Sequence, residues 1–174
     1  MTDPWKPVSP WVFGTATAGL ALLVYLWGTS ANGYIRVLDD ANLVFHEAGH
    51  PIFGILGQTL GLYGGTLGQL VFPTAVCVTY WKRREAVAFF VGLVWLFENF
   101  LNISRYMADA RAQILPLVGG GEHDWTNIFT RWGILQADTT IAGFVKHMAW
   151  LGILGSWLWL AWLSASAKDR PPQS

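Results

Sequence analysis

Residues 42–60 have the sequence NLVFHEAGHPIFGILGQTL, which places three ionisable side chains inside an otherwise apolar stretch. These are His46, Glu47 and His50, in the spacing of an HExxH motif. An ionisable group at the centre of a bilayer costs about 3 kcal/mol or more unless it has a partner or contacts water. How the chain accommodates these three groups therefore decides its fold.

The composition of the whole chain predicts a membrane protein. Of its 174 residues, 53% are hydrophobic and only 13% are charged, against about a quarter charged in an ordinary soluble domain. Aromatic residues make up 15%, and eleven residues are Trp, which membrane interfaces favour. The expected partner is the lipid bilayer. Eleven basic residues balance eleven acidic ones, so no net charge attracts nucleic acid and we expect no such partner.

Four stretches of the chain are long and apolar enough to cross a bilayer. The first, 11–28, contains eighteen residues without a charge. The other three are 65–81, 86–107 and 141–163. They predict an all-α, polytopic transmembrane bundle in which residues 1–174 form a single membrane domain. The last residues, 164–174, include two prolines and are expected to form a disordered tail.

The basic residues at 82–84 predict the orientation, because positive charge collects on the cytoplasmic side of a membrane. The connection 108–140 is then extracytoplasmic. Residues 42–57 would form a helix of about 24 Å, which either crosses, giving five spans, or dips in and returns, giving four spans and a re-entrant helix. We prefer the re-entrant helix because it places the HExxH motif on the same side as the connection. The return is expected at a glycine-rich break formed by Gly57, Gly61, Gly64 and Gly65.

The HExxH motif is typical of the zinc sites of metallopeptidases. Residues four apart share a helix face, so His46 and His50 can bind one Zn²⁺ while Glu47 reaches a coordinated water. Zinc lowers the pKa of that water towards 7, and the carboxylate can take its proton and pass it to a leaving amine. Cys77 is the single cysteine, which excludes a cysteine cage. A second interpretation is a hydrogen-bonded polar patch that holds helices together.

A catalytic zinc needs a third protein ligand besides the two histidines. We expect it to be His123 or Asp124, because the glycine run before them can let this segment fold back over the motif. Glu98 competes, since Asn102 follows it on the same helix face and could steady a ligand. Asp109 is a further candidate, or else a surface ion-pair partner of a nearby arginine.

At its HExxH motif the sequence resembles the intramembrane zinc metalloproteases of the site-2 protease group. It resembles more closely a family of small bacterial membrane proteins that combine FHEAGH (45–50) with later DARA (109–112) and GGGEHDW (119–125) segments. The resemblance implies a metallopeptidase-like site to which the two later segments contribute, in a bacterial inner membrane. The chain has no Asn-Pro-Asp-Gly or Leu-Asp-Gly segment, so the third ligand of the site-2 protease group is not carried over.

The sequence supports three hypotheses about function. The first is a membrane zinc metallopeptidase that cleaves a membrane-embedded or membrane-adjacent protein or peptide substrate, with Glu47 as general base and the site facing the extracytoplasmic side. The second is a non-catalytic integral subunit that packs against a larger membrane complex. The third is a proton or ion pathway through Glu98, His46 and Glu47, for which the sequence offers polar groups but no internal repeat.

Overall fold

The computed structural model describes residues 4–118 and 122–168, and every regular element within them is helical, which confirms the all-α prediction. The helices are α1 (Pro10–Thr29), α2 (Arg36–Gly54), α3 (Gln58–Arg83), α4 (Ala86–Ala108), α5 (Asp124–Arg131) and α6 (Asp138–Lys168). Two short 3₁₀ turns, Ala31–Gly33 and Leu135–Ala137, precede α2 and α6.

Local sequence signals account for several helix boundaries. Ser9 caps α1 by accepting a hydrogen bond from the backbone N–H of Val12, and Pro10 occupies the first turn, where its missing N–H costs nothing. Arg84 ends α3 in the left-handed conformation, with φ of 55°, and α4 begins two residues later. The basic cluster thus lies at a tight turn between two long apolar helices.

Four helices are long and apolar enough to cross a membrane, as predicted: α1, α3, α4 and a segment, Leu135–Ser166, that contains most of α6. The observed helices extend beyond the predicted stretches, most of all α3, which begins at Gln58 rather than at residue 65. The helix that carries the HExxH motif, α2, is not among the four candidates. Its charged residues are Arg36, Asp39, Asp40 and Glu47.

Contacts near the amino terminus show which helix ends lie together. The backbone N–H of Lys6 donates to the carbonyl oxygen of Arg84 at 3.0 Å, and the Trp5 and Trp81 rings are 5.5 Å apart. An apolar cluster joins the starts of α1 and α4 to the end of α6; its buried members are Val8, Ala86, Phe90, Val94, Leu160 and Leu163. We call this the basic end, defined by Lys6 and residues 82–84, and the opposite end the site end.

This arrangement fixes the course of α2. Since α1 starts and α3 finishes at the basic end, α2 connects the far end of α1 to the far end of α3. Both ends of α2 therefore lie towards the site end, and α2 does not cross the bundle. The four-span arrangement with a non-crossing HExxH helix fits the structure, and the five-span alternative does not.

The predicted glycine-rich break is wrong in its extent. Only Gly57, with φ of 120°, lies in the turn between α2 and α3, in a conformation that side chains disfavour. Gly61, Gly64 and Gly65 are inside α3 and let it approach α2 closely. A Cβ on Gly64 would lie 2.6 Å from the carbonyl oxygen of Gly49, so these glycines serve helix packing rather than chain reversal.

The polarity of α2 is the reverse of that in a soluble protein. Val37 and Val44 on its outer side are 87% and 66% exposed, whereas Asp39, Asn42 and His46 are at most 6% exposed. Apolar side chains thus face outward and polar side chains face the neighbouring helices. This pattern indicates a lipid environment, which agrees with the four candidate spans.

The carboxyl-terminal third contains one further helix, and it changes one expectation. The connection 108–140 contains α5, whose Trp125, Ile128 and Phe129 are buried against α4. Helix α6 continues to Lys168, and Ser164 is only 5% exposed, so the predicted tail does not begin at residue 164. The rest of that predicted tail, 169–174, and the glycines at 119–121 lie outside the described residues.

Candidate metal centre

Three side chains from α2 and α5 meet at the site end. Nε2 of His46 lies 2.9 Å and Nε2 of His50 lies 3.2 Å from Oδ2 of Asp124. The two histidines are one turn apart on α2, and Asp124 is the first residue of α5. These three residues form a group whose nitrogen and oxygen donors all lie within 4.8 Å of one another.

The donor set fits a zinc ion. Ligands at about 2.0–2.1 Å in a tetrahedral site are separated by about 3.3 Å, close to the two separations observed here. Two imidazole nitrogens and one carboxylate oxygen suit zinc better than Ca²⁺ or Mg²⁺, which prefer oxygen ligands. The group can therefore hold a metal ion with little movement of its side chains.

Both imidazoles are held by their second ring nitrogen. Nδ1 of His46 lies 2.9 Å from Oε1 of Gln69, and Nδ1 of His50 lies 2.8 Å from the carbonyl oxygen of Gly61. Because both partners are acceptors, each Nδ1 carries a hydrogen and donates it. When a ring is neutral, its lone pair is then on Nε2, the atom that would bind a metal ion, as in protein zinc sites.

A chain of amides fixes the orientation of Gln69. Its Nε2 donates to Oδ1 of Asn99 at 3.2 Å and to Oδ1 of Asn102 at 3.3 Å. Nδ2 of Asn102 donates in turn to Asp39, a carboxylate that accepts. These contacts turn the amide of Gln69 so that its oxygen faces His46, and they connect α2, α3 and α4 around the site.

Gly65 leaves the space in which the two imidazoles converge. A Cβ at this position would lie 2.4 Å from Nε2 of His46 and 2.6 Å from Nε2 of His50. Any larger residue would push the rings away from Asp124. The glycine therefore forms a cradle beside the donor atoms, which is a second observation that fits a bound ion.

Tyr106 positions the carboxylate. Its hydroxyl accepts a hydrogen bond from the backbone N–H of Asp124 at 3.1 Å, and its ring lies 5.7 Å from that of His46. The start of α5 is thereby attached to α4 beside the histidines.

His123, the other predicted candidate for the third ligand, lies elsewhere. Its Nδ1 accepts a hydrogen bond from the backbone N–H of Thr126 at 3.3 Å, and so caps α5. Its Nε2 is 3.4 Å from Oδ2 of Asp109, and its ring packs on Tyr106 at 4.2 Å. The structure thus brings Asp124 to the two histidines and uses His123 to hold the turn before α5.

Glu98 and Asp109, the other candidate ligands, form their hydrogen bonds away from the two histidines. Glu98 is 1% exposed and accepts a hydrogen bond from Nδ2 of Asn42 at 2.8 Å. Asp109 accepts from the backbone N–H groups of Ile114 and Leu115 at 3.0 and 3.1 Å, so it closes the turn after α4. Neither belongs to the His46, His50 and Asp124 group.

Glu47 lines the same cavity as the three donors. The cavity has a volume of about 910 Å³ and contains His46, His50 and Asp124 in its wall. Part of the remaining wall is apolar; it includes Leu43, Leu62, Leu115, Pro116 and Leu117. The cavity can accept a ligand larger than a water molecule beside the donor group.

Protonation of the metal-free site follows from the same contacts. The hydrogen bond to Asp124 raises the pKa of His50 to about 9, against the opposing effect of burial. Burial would raise the pKa of Asp124, but its hydrogen bonds with His46 and His50 outweigh this and lower it. The metal-free site therefore holds a proton between His50 and Asp124, which a metal ion would displace.

The sequence reasoning missed Gln69, Tyr106 and Gly65. A signal existed for Gln69, because it is the only amide or charged side chain between Thr59 and Trp81, and polar groups within spanning helices often mark function. For Gly65, the sequence predicts a position in a break of the chain and not one beside the donor atoms. The contact of Tyr106 with Asp124 depends on the position of α5, which no local pattern predicts.

Comparisons with known proteins found no match, so the function of this site is inferred from its geometry. No family model matches the chain, and neither a curated protein nor a solved structure matches it.

Proposed function

We propose that this chain is a membrane-embedded zinc metallopeptidase that hydrolyses peptide bonds of membrane or membrane-adjacent substrates. The observation that carries the proposal is the convergence of His46, His50 and Asp124 in the wall of a cavity that Glu47 also lines. These three residues would hold a zinc ion and still allow water or substrate to bind it, as catalytic zinc sites require.

His46, His50 and Asp124 would hold the ion, and Glu47 would act as general base. A bound zinc supplies a Lewis acid that lowers the pKa of water to near 7 and polarises the scissile carbonyl. Glu47 takes a proton from the attacking water as its oxygen bonds to the carbonyl carbon. The same carboxyl group then gives that proton to the amine nitrogen as the C–N bond breaks.

The cavity wall supports an extended peptide segment as substrate. Leucine and proline side chains in the cavity wall can bury apolar substrate side chains. The apolar outer surface of α2 and the four candidate spans support a position of the cavity beside lipid. Substrates within or next to the bilayer can therefore reach it by lateral movement.

The charge distribution supports an orientation. Lys6 and residues 82–84 lie together at the basic end, which the positive-inside tendency places in the cytoplasm. The metal centre, at the opposite end, then faces the extracytoplasmic side of a bacterial inner membrane.

The test uses the full chain reconstituted in liposomes with a library of apolar peptides, and mass spectrometry of the products. Wild-type protein loaded with zinc is expected to produce cleaved peptides, and Glu47→Gln is expected to retain zinc but lower the cleavage rate at least 100-fold. Equal product from both proteins, or none from a zinc-loaded wild type across the library, would contradict the proposal.

A further inference from the structure

A second cavity lies between α1, α4 and α6 at the site end. It has a volume of about 640 Å³ and adjoins the cavity of the metal centre, with which it shares the wall residues Asn32, Arg105 and Leu115. Its wall contains two cations, Arg105 and Lys146, together with the hydroxyl group of Thr139. Such a set of donors is suited to an oxyanion.

Each of the two cations forms a cation–π contact with an aromatic ring. The guanidinium carbon of Arg105 is 4.7 Å from the centre of the Tyr34 ring, and Nζ of Lys146 is 5.0 Å from the centre of the Trp27 ring. Among the described residues, neither cation has a carboxylate oxygen within 4 Å. Nε of Arg105 is buried without a hydrogen-bond partner there. The two groups are held in place with N–H donors still available.

One acidic residue, Asp109, also borders this cavity. Its two carboxylate oxygens accept backbone hydrogen bonds from Ile114 and Leu115, and Oδ2 lies 3.4 Å from His123. Asp109 is therefore engaged by its own loop. With two cations and one engaged carboxylate, the cavity wall has a net positive charge.

The position of the cavity points to a lipid as the source of the oxyanion. Three candidate spanning helices end here: Gly28 is near the end of α1, Arg105 is in the last turn of α4 and Thr139 is in the first turn of α6. Phospholipid headgroups lie at this level of a bilayer, where spanning helices leave the hydrocarbon. Leu154, three helical turns after Gly143 on the same face of α6, and Val24, three residues before Trp27 on α1, are 50% and 42% exposed, on the path that acyl chains would follow.

We propose that this inter-helical cavity is a binding site for the phosphate headgroup of an anionic phospholipid, held by Lys146 and Arg105. The acyl chains lie against the exposed apolar residues of α1 and α6. The site is independent of the proposed peptidase chemistry, since its test measures lipid binding and needs no metal.

The test is native mass spectrometry of the full chain in detergent, titrated with phosphatidylglycerol. Lys146→Gln is expected to weaken binding about fivefold, since a basic side chain near a lipid phosphate contributes about a factor of this size. Lys146→Arg should restore binding. Arg131→Gln is the matched control, because it removes one exposed positive charge at the same end, outside this cavity; it should bind as wild type does.

Two competitors identify the ligand class. The headgroup of phosphatidylcholine has no net charge, so this lipid is expected to displace bound phosphatidylglycerol at least fivefold less well than added phosphatidylglycerol does. Inorganic phosphate at millimolar concentration is expected not to displace the bound lipid. Equal binding by wild type and Lys146→Gln would overturn the proposal. Displacement by inorganic phosphate would also overturn it, since the site would then bind free phosphate rather than lipid.

Discussion

Oε1 of Gln69 lies 2.9 Å from Nδ1 of His46, and this contact determines which nitrogen of His46 faces Asp124. The amide group of Gln69 is itself oriented by Asn99 and Asn102. The packing of α2, α3 and α4 thus orients Gln69, and Gln69 in turn orients Nε2 of His46 in the candidate metal centre.

Replacement of Gln69 by leucine should weaken zinc binding about 10- to 100-fold, the usual effect of losing a residue that orients a metal ligand. The loss arises because His46 is then free to rotate or to carry its hydrogen on Nε2. Competition with a fluorescent chelator measures the affinity. Gln58→Leu, at the start of the same helix, is the control and should retain wild-type affinity; a similar loss in both variants would contradict the orienting role.

Gly65→Ala should abolish zinc binding while the helices stay folded. The added Cβ would occupy the space 2.4 Å from Nε2 of His46, and the imidazoles can rotate away more easily than the backbone can move. Zinc content and far-UV circular dichroism of the purified protein test both parts. A glycine in open space, Gly143, provides the matched Gly→Ala control. Normal zinc content in Gly65→Ala would show that the rings do not converge as described.

More of the fold than of the site could be predicted from the sequence. Four apolar stretches give the spans, because each must satisfy its backbone hydrogen bonds as a helix within lipid. The non-crossing path of α2 followed from requiring the HExxH motif and the 119–125 segment to share one side. The packing role of Gly64 was not predictable, because glycine favours turns and close helix contacts alike.

The choice between His123 and Asp124 as the third ligand shows why the site was harder to predict than the fold. Neighbouring residues at the start of a helix point in different directions, and the sequence does not show which residue caps the helix. In the structure His123 is the cap, which leaves Asp124 to face α2. Only the position of α5 relative to α2 separates the two candidates.

Zinc affinity should fall as the pH is lowered from about 9. The hydrogen bond to Asp124 raises the pKa of His50 to about 9 in the metal-free site, so below that pH zinc must displace a proton. Displacement of one proton predicts about a tenfold loss of affinity for each pH unit between 8.5 and 6.5. Chelator competition at three pH values measures the slope. Asp124→Asn removes the carboxylate that raises the pKa, so its residual binding should depend less on pH; an affinity independent of pH in wild type would refute this account.

His123→Ala should lower stability without removing zinc. It deletes the cap of α5 and the contact with Asp109, and loss of a helix cap costs about 1 kcal/mol. Thermal denaturation and zinc content distinguish stability from metal binding. Asp124→Ala should show the opposite pattern, with zinc lost. If His123→Ala lost zinc and Asp124→Ala kept it, the assignment of the third ligand would be reversed.

The most direct test of the metal centre is the zinc content of the full chain purified from zinc-supplemented cells, measured by inductively coupled plasma mass spectrometry. We expect about one zinc ion per chain in wild type and in Glu47→Gln, and less than about a tenth of that in His46→Ala, His50→Ala and Asp124→Ala, since each removes one of only three protein ligands. Wild-type protein without zinc, or a His46→Ala variant with as much zinc as wild type, would contradict the account.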